Sequence, residues 1–374
     1  MTGTGSAVIV EALRSPIGTA RRGLAGVDAA RLAAPVLAAV SARVGRRPAE
    51  VVLGNCMGPG GDVARVAALA AGLPEGTPAL TVDRQCASGL AAIEVGSRLV
   101  GEGHWPVLAG GVESASTAPW RFWPPAGEGR PPVRYDRAPF APDEERDPDM
   151  GLAADLLAGE CGIGRERQDE YTARSYRLAW ESSQRGLFAG EIVPVGGLDH
   201  DERPRAGMTA SRLARFPAAF REGGTVTAGN SCGINDGAAV VALAPESAGL
   251  PGLRILATAS AGVDPRRPGI GIVPAVRLAL DRAGLAASDL DVIEVTEAFA
   301  GQVLACYDEL GIDPRRACTQ GGALALGHPW GASGAVLVVR LFSQLIRQGH
   351  GRYGVAAIAA GGGQGTAVVV EASR

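Results

Sequence analysis

Cysteine and histidine are the side chains through which this chain can do covalent chemistry, and one of each stands in a suggestive turn. Cys86 lies in Asp83-Arg84-Gln85-Cys86-Ala87-Ser88-Gly89-Leu90. Before it, Ala79-Leu80-Thr81-Val82 reads as a short strand; after it, Leu90 to Val100 carries apolar residues at helical spacing. A strand-to-helix turn offers unpaired backbone N–H groups and the positive end of a helix dipole, which predicts a thiolate reactive near neutral pH. A small buried apolar cysteine is the other use of the residue there. His328, one of four histidines, lies in Gly321-Gly322-Ala323-Leu324-Ala325-Leu326-Gly327-His328-Pro329, ahead of Gly331-Ala332-Ser333-Gly334 and another apolar helix. From such a turn it can reach across a fold as base or hydrogen-bond donor. Cysteine plus histidine is the minimal acyl-transfer pair. Tyr353 to Ala360 reads as a buried strand that runs into Gly361-Gly362-Gly363-Gln364-Gly365. Three residues without side chains either leave N–H groups free to hold an oxyanion or make a plain turn.

The elements that position these turns repeat. Ala87-Ser88-Gly89, an apolar helix, Gly101-Glu102-Gly103-His104, an apolar strand and Gly110-Gly111 are echoed by Ala332-Ser333-Gly334, an apolar helix, Gln348-Gly349-His350, an apolar strand and Gly361-Gly362. Two halves that each alternate strand and helix predict a duplicated α/β architecture with a layered sheet core. The Cys86 and His328 turns then fall at equivalent ends of the halves and meet at one cleft. Between them, Ala118 to Pro148 is crowded with proline, arginine, glutamate and aromatic residues, as in Trp120-Arg121-Phe122-Trp123-Pro124-Pro125, and lacks periodicity. Such a stretch reads as an ordered excursion or lid.

Composition narrows the class. At 374 residues the chain exceeds a comfortable single core. Hydrophobic residues at 46% supply material to bury, while 20% charged residues and a net charge of -3 give no sign of nucleic-acid binding. No stretch reads as a membrane span, and Met1-Thr2-Gly3-Thr4-Gly5 lacks the basic-then-apolar layout of a signal peptide. Six cysteines without metal-ligand spacing predict a reducing cytoplasm and no metal site.

Over nearly its whole length the chain resembles the thiolase family of acyl-CoA acyltransferases. The resemblance rests on Arg14-Ser15-Pro16-Ile17-Gly18, the Cys86 segment, Ala109-Gly110-Gly111-Val112-Glu113-Ser114 and Thr225-Val226-Thr227-Ala228-Gly229-Asn230. It continues through Asn235-Asp236-Gly237-Ala238-Ala239, Glu297-Ala298-Phe299-Ala300, the His328 turn and the final glycine triplet. It implies a five-layered α-β-α-β-α fold with an inserted loop domain. The N-terminal half spans 1–117 and is completed by about 228–250, the loop domain 118–227 and the C-terminal half 251–374. It also implies that Cys86 attacks an acyl-CoA carbonyl with help from His328. One oxyanion hole uses the N–H groups of Cys86 and Gly361; the other uses His328 with a water held by Thr296. A thioester of coenzyme A is then the substrate and no cofactor is needed. A homodimer or homotetramer is implied, and some thiolase-like proteins work beside a small zinc-containing partner.

Two departures matter. Thiolases carry asparagine where this chain has Thr296, and a second catalytic cysteine where it has Ala359. A threonine hydroxyl still bonds a water, from a shorter and branched side chain. Alanine moves no proton, and losing a positioned acid or base typically costs roughly 10²–10⁴ in rate. Cys232, in a segment that the resemblance places near the pantetheine, is either a substitute acid/base or a small loop residue. Asp149 stands where some thiolases have a pocket histidine, and acts as a base if burial raises its pKa. Met150, Ser231, Cys232 and Phe299 are expected at the substrate. Arg212 and Arg215 meet CoA phosphates or are solvated. Cys56, Cys161, Cys306 and Cys318 carry no strong expectation. Three functions follow: an acyltransferase of altered chemistry, an ordinary thiolase with a substitute acid/base, or a non-catalytic partner subunit.

Overall fold

A computed structural model describes residues 7–373; the first residues, read above for a targeting signal, lie outside them. Among the described residues twelve strands run in chain order: β1 (Ala7–Arg14), β2 (Gly18–Thr19), β3 (Glu50–Gly54), β4 (Ala79–Val82), β5 (Val107–Ser114), β6 (Arg121–Trp123), β7 (Val133–Tyr135), β8 (Asn235–Pro245), β9 (Gly252–Gly262), β10 (Val292–Val295), β11 (Tyr353–Ala360) and β12 (Gln364–Ser373). The helices are α1 (Ala29–Val44), α2 (Val63–Ala70), α3 (Ser88–Leu99), α4 (Met150–Glu160), α5 (Arg165–Gln184), α6 (Ala210–Leu213), α7 (Ile272–Ala283), α8 (Ala300–Leu310), α9 (Ala323–Leu326) and α10 (Trp330–Phe342). No described helix is long and apolar enough to cross a membrane.

The main sheet runs β10-β11-β12-β9-β1-β8-β5-β3-β4, with β2 beside β8. Within it β3-β5-β8-β1 and β10-β11-β12-β9 repeat one pattern. In each, the first pair is parallel and the next two are antiparallel. The halves meet where β1 pairs with β9, at Val8 with Arg254 and Ile9 with Leu253. This is the duplication that the repeated segments predict.

Five layers follow from which faces are apolar. On β8, Ala239, Val241 and Leu243 point to an inner core, and Ala238, Val240 and Ala242 to an outer one. On β12, Val368 and Val370 face the same inner core while Ala367 and Val369 face outward. Strands buried on both sides read as continuous apolar runs because helices must cover both faces. Helices α1 and α2 cover one outside, α7 and α8 the other, and α3 with α10 fill the middle. Local signals agree: α1 begins at Asp28, whose carboxylate accepts from Arg31 N at 2.9 Å, and stops at Gly45, with φ of 65°.

Helices α4 and α5 rest on α8, and α5 also on α9, beside the C-terminal half. The aperiodic stretch from 118 contains the β6–β7 hairpin, pinned by Trp123 stacked on Tyr135 at 4.6 Å and Arg134 over Trp120 at 4.6 Å. Strands of three residues are too short to display alternation, so sequence periodicity does not reveal them.

A buried charge cluster ties this region to both halves. Arg14 of β1 reaches Glu191 at 2.8 Å and Asp201 at 2.7 Å, and Arg340 of α10 reaches the other Glu191 oxygen at 2.5 Å. Ser343 donates to that oxygen at 2.5 Å. Burial by itself raises a carboxyl pKa, but the Arg340 and Arg14 guanidiniums outweigh it and hold Glu191 below its ordinary value. Glu191→Ala leaves two guanidiniums buried without their shared partner. It is expected to cost about 3–5 kcal/mol, measured as a lowered urea midpoint, whereas exposed Glu181→Ala should leave the midpoint nearly unchanged.

Candidate active site

The chain reverses at the end of β4 through Gln85, whose φ of 49° is unusual for a residue with a side chain, and α3 begins at Ser88. Ser88 Oγ braces this elbow, accepting from Arg84 N at 2.8 Å and donating to Gln85 O at 2.6 Å. Cys86 is thereby presented at the top of α3. The buried Glu113 carboxylate of β5 holds the neighbouring loop through Cys56 N at 3.2 Å and Met57 N at 3.1 Å. It also accepts from Gly331 N at 3.0 Å, so one side chain locks the Cys86 side of the cleft to the start of α10.

His328 sits between α9 and α10. Its backbone N–H donates to Asn235 Oδ1 at 3.0 Å, and Asn235 Nδ2 donates to Gly18 O at 2.9 Å. Gly327 before it has φ of 114°, and a Cβ there would lie 2.6 Å from the Asn235 side chain, so only glycine fits. His328 Nδ1 is hydrogen-bonded to Ser333 Oγ at 2.6 Å, which leaves Nε2 for the cleft.

One cavity of about 130 Å³ joins these turns. Of the expected site residues, Cys86, Met150, Cys232, Phe299, His328 and Gly361 line it, beside Ala359. Cys232 and Phe299 arrive together because Ser231 and Phe299 form a β-bridge and Cys232 N donates to Ala298 O at 2.9 Å.

The other expected residues are elsewhere. Asp149 is exposed and is the N-cap of α4, accepting from Gly151 N at 2.9 Å and Leu152 N at 3.2 Å, so the premise of a buried base there fails. Thr296 is buried, but its side chain lines a second cavity instead of the first, and its hydroxyl has no hydrogen-bond partner. Ser231 is turned to Thr227 O at 2.6 Å. Arg212 and Arg215 are exposed and outside the cavity wall. Cys56, Cys306 and Cys318 donate to the carbonyls of Gln85, Gly269 and Val295, and Cys161 ends α4.

Sequence reasoning did not single out Ser333, Asn235 or Gln302. The first two stand inside segments already noted for their pattern, but the partners of Asn235 are distant in the chain, and the pairing of Ser333 with His328 five residues before it depends on how the turn between them folds. Gln302 and Trp330 line the cavity and carry no local signal.

The electrostatics reverse one expectation. Burial, then the proximity of Cys232 and Glu113, push the Cys86 thiol up to about 12, and its backbone hydrogen bond offsets only part of this. Burial pushes His328 down to about 4 and Cys232 up to about 12. A helix dipole falls off within a turn and does not offset this desolvation. The cleft therefore holds a neutral thiol and a neutral imidazole, a pair that can act by proton transfer during attack. Among the described residues no group of three or more His, Cys, Asp or Glu could hold a metal ion.

Residues 7–247 match the family model described as "Thiolase, N-terminal domain" and residues 251–372 that described as "Thiolase, C-terminal domain". The chain is 42% identical to an acetyl-CoA acetyltransferase of Pseudomonas aeruginosa, over 97% of this chain and 98% of that protein. It is likewise 42% identical to a beta-ketoadipyl-CoA thiolase of the same species, with the same coverage. Among solved structures it is similar to human mitochondrial 3-ketoacyl-CoA thiolase in complex with CoA, at TM-score 0.93, 33% identity and 99% coverage of both chains. The acetyl-CoA acetyltransferase of Bacillus anthracis gives TM-score 0.92 at 37% identity, also over 99% of both.

The thiolate absorbance of Cys86, taken as the difference between the protein and Cys86→Ala, is expected to be absent at about pH 8 and to grow only in strong alkali. Thiolate absorbance near neutrality would overturn the neutral-pair description.

Proposed function

The chain belongs to the thiolase family, and on that footing we propose that it takes an acyl group from an acyl-CoA onto Cys86 and passes it to a second nucleophile. In the loading step Cys86 Sγ bonds to the thioester carbonyl carbon as its proton passes to His328 Nε2. The bond to the CoA sulfur then breaks, and the proton goes to the departing thiolate. The N–H groups of Cys86 and Gly361 hold the oxyanion between these events. Met150, Cys232 and Phe299 border the acyl group and the pantetheine end. Ser231 supports this loop, and exposed arginines, Arg212 and Arg215 among them, are available to phosphates outside the cavity. Assembly as a homodimer or homotetramer, with or without a small accessory subunit, in the cytoplasm belongs to the same proposal.

The observation that carries this reading is the meeting of Cys86, His328 and Gly361, from three distant turns, on one cavity wall. A partner subunit without chemistry has no need of that constellation. Ala359 lines the same cavity where the resemblance calls for a second catalytic cysteine, which shapes the second half of the reaction. An acceptor that needs no enzymic deprotonation fits: a decarboxylating malonyl-type donor, or an activated ring or amine. Thr296 reinforces this, since it lines the second cavity instead of this one and carries no amide to hold a water as asparagine does.

A second reading has one observation in its favour. Cys232 borders the cavity with Cys86, and its high pKa keeps it protonated at neutral pH, as a proton donor must be. In that case an ordinary thiolase step survives and Cys232→Ala abolishes it.

Intact-protein mass spectrometry after brief exposure to a panel of acyl-CoAs tests the proposal. One acyl adduct per chain is expected, and none on Cys86→Ala. A folded sample that acquires no adduct from any donor would shift the reading to the partner subunit. Formation of acetoacetyl-CoA from acetyl-CoA should be weak and should rise by about 10² or more in Ala359→Cys. Brisk condensation by the unaltered protein, lost in Cys232→Ala, selects the second reading.

A further inference from the structure

Against Ser333, the serine bonded to His328 Nδ1, lies a second cavity of about 20 Å³, large enough for water. Its wall also includes Glu294 of β10, Thr296 and Arg340 of α10. Two of these carry buried polar atoms without a partner: Thr296 Oγ1, on a residue 3% exposed, and Arg340 Nε, on a residue 1% exposed. Buried polar atoms left unpaired on residues that line a small cavity are a setting in which proteins hold ordered water.

We propose that this cavity holds water linking the Glu294 carboxyl through Ser333 Oγ to His328 Nδ1, so that Glu294 stores and returns the proton that His328 exchanges with Cys86. The inference rests on His328 serving Cys86 as base, the reading given above. When Cys86 gives its proton to Nε2, the Nδ1 proton passes to Ser333, whose own proton passes through water to the Glu294 carboxylate. The net change is one thiolate formed and one carboxylic acid formed, with charge conserved. Reversal supplies the proton that a departing thiolate needs. Glu294 is a positioning residue in this scheme because it acts through His328 and does not touch the substrate.

The surroundings suit a proton store. Gln344 Nε2 donates to Glu294 Oε1 at 2.6 Å and fixes the carboxyl. Arg340 from α10 favours the ionised form, while Glu297 beyond the end of β10 and Glu191 from the charge cluster oppose it. The Cys318 thiol is also within electrostatic reach. Burial dominates and raises the carboxyl to about 7, so either state is accessible near neutrality. The raised value means that Glu294 becomes a proton acceptor only as pH rises through that range.

The test follows alkylation of Cys86 by iodoacetamide against pH, scored on the Cys86 peptide, because it reports deprotonation of the thiol without any acyl-CoA. The unaltered protein should show a rise in rate through about pH 7. Glu294→Gln should lose that step and react about tenfold or more slowly at about pH 8, and Glu294→Asp should restore the step at a displaced pH. Thr296→Val, which keeps the carboxylate and removes a water anchor, should weaken the step as well, and carries the test should Glu294→Gln fail to fold. A Glu294→Gln or Thr296→Val profile that superimposes on the unaltered one would overturn the relay. Absence of acyl loading in the unaltered protein would instead overturn the proposed function, and the alkylation profiles are read independently of it.

Discussion

The structure depends on a contact that only glycine permits, between the backbones of the two central helices. A Cβ on Gly89 of α3 would lie 2.7 Å from Gly331 O, and one on Gly334 of α10 would lie 2.6 Å from Leu90 N. On the adjoining strand, a Cβ on Gly111 would come within 2.0 Å of Gly331 O. Contacts this short have no rotamer remedy, because the obstructing atoms are backbone. Absence of side chains at these positions lets the N-terminal ends of α3 and α10 lie side by side. Those ends carry the Cys86 and His328 turns, so the approach of two helices is also the assembly of the cleft.

Close approach requires that polar backbone at the helix starts be satisfied without water, and buried side chains do this. Glu113 serves the Cys56 loop and Gly331 together, and Asn235 serves His328 N. Glu297 accepts from Tyr171 at 2.6 Å, Ser175 at 2.7 Å and Leu324 N at 3.1 Å, which anchors α9 to α5. Each is a group whose partners come from remote segments. The same burial that makes these bonds strong removes the charge from the site. Among the described residues no cation is paired with Cys86 and no carboxylate with His328, so neither forms an ion pair, and the proposed chemistry begins with a proton moved between neutral partners.

Two halves of like pattern also explain why the site is asymmetric. Ser88 and Ser333 occupy corresponding places at the starts of α3 and α10, yet one braces the cysteine elbow and the other holds the imidazole. The repeated framework supplies equivalent scaffolds, and the turn residues ahead of each helix decide their chemistry. Cys232 and Phe299 enter from outside the repeated segments, through a single bridge between two loops.

Much was legible in the sequence. The strand at 79–82, the helix after Cys86, the strand ending at Ala360, the glycine turn and the duplication all rest on local periodicity and on glycine, which the chain carries wherever it folds. The meeting of the Cys86 and His328 turns followed from the repeat, and the place of Gly361 beside them from the family resemblance. Tertiary structure decided the rest. Asp149 looked like a pocket residue but caps a helix, because which way a side chain at a helix start points depends on the turn. Thr296 lines a second cavity instead of the first, Ser333 orients the histidine from five residues on, and Glu294 shares that second cavity's wall with Arg340 from another element. The protonation of Cys86 was misjudged for the same reason. A helix dipole can be read from neighbours in sequence, but desolvation is the sum over every atom packed around a group, and that sum exists only once the chain is folded.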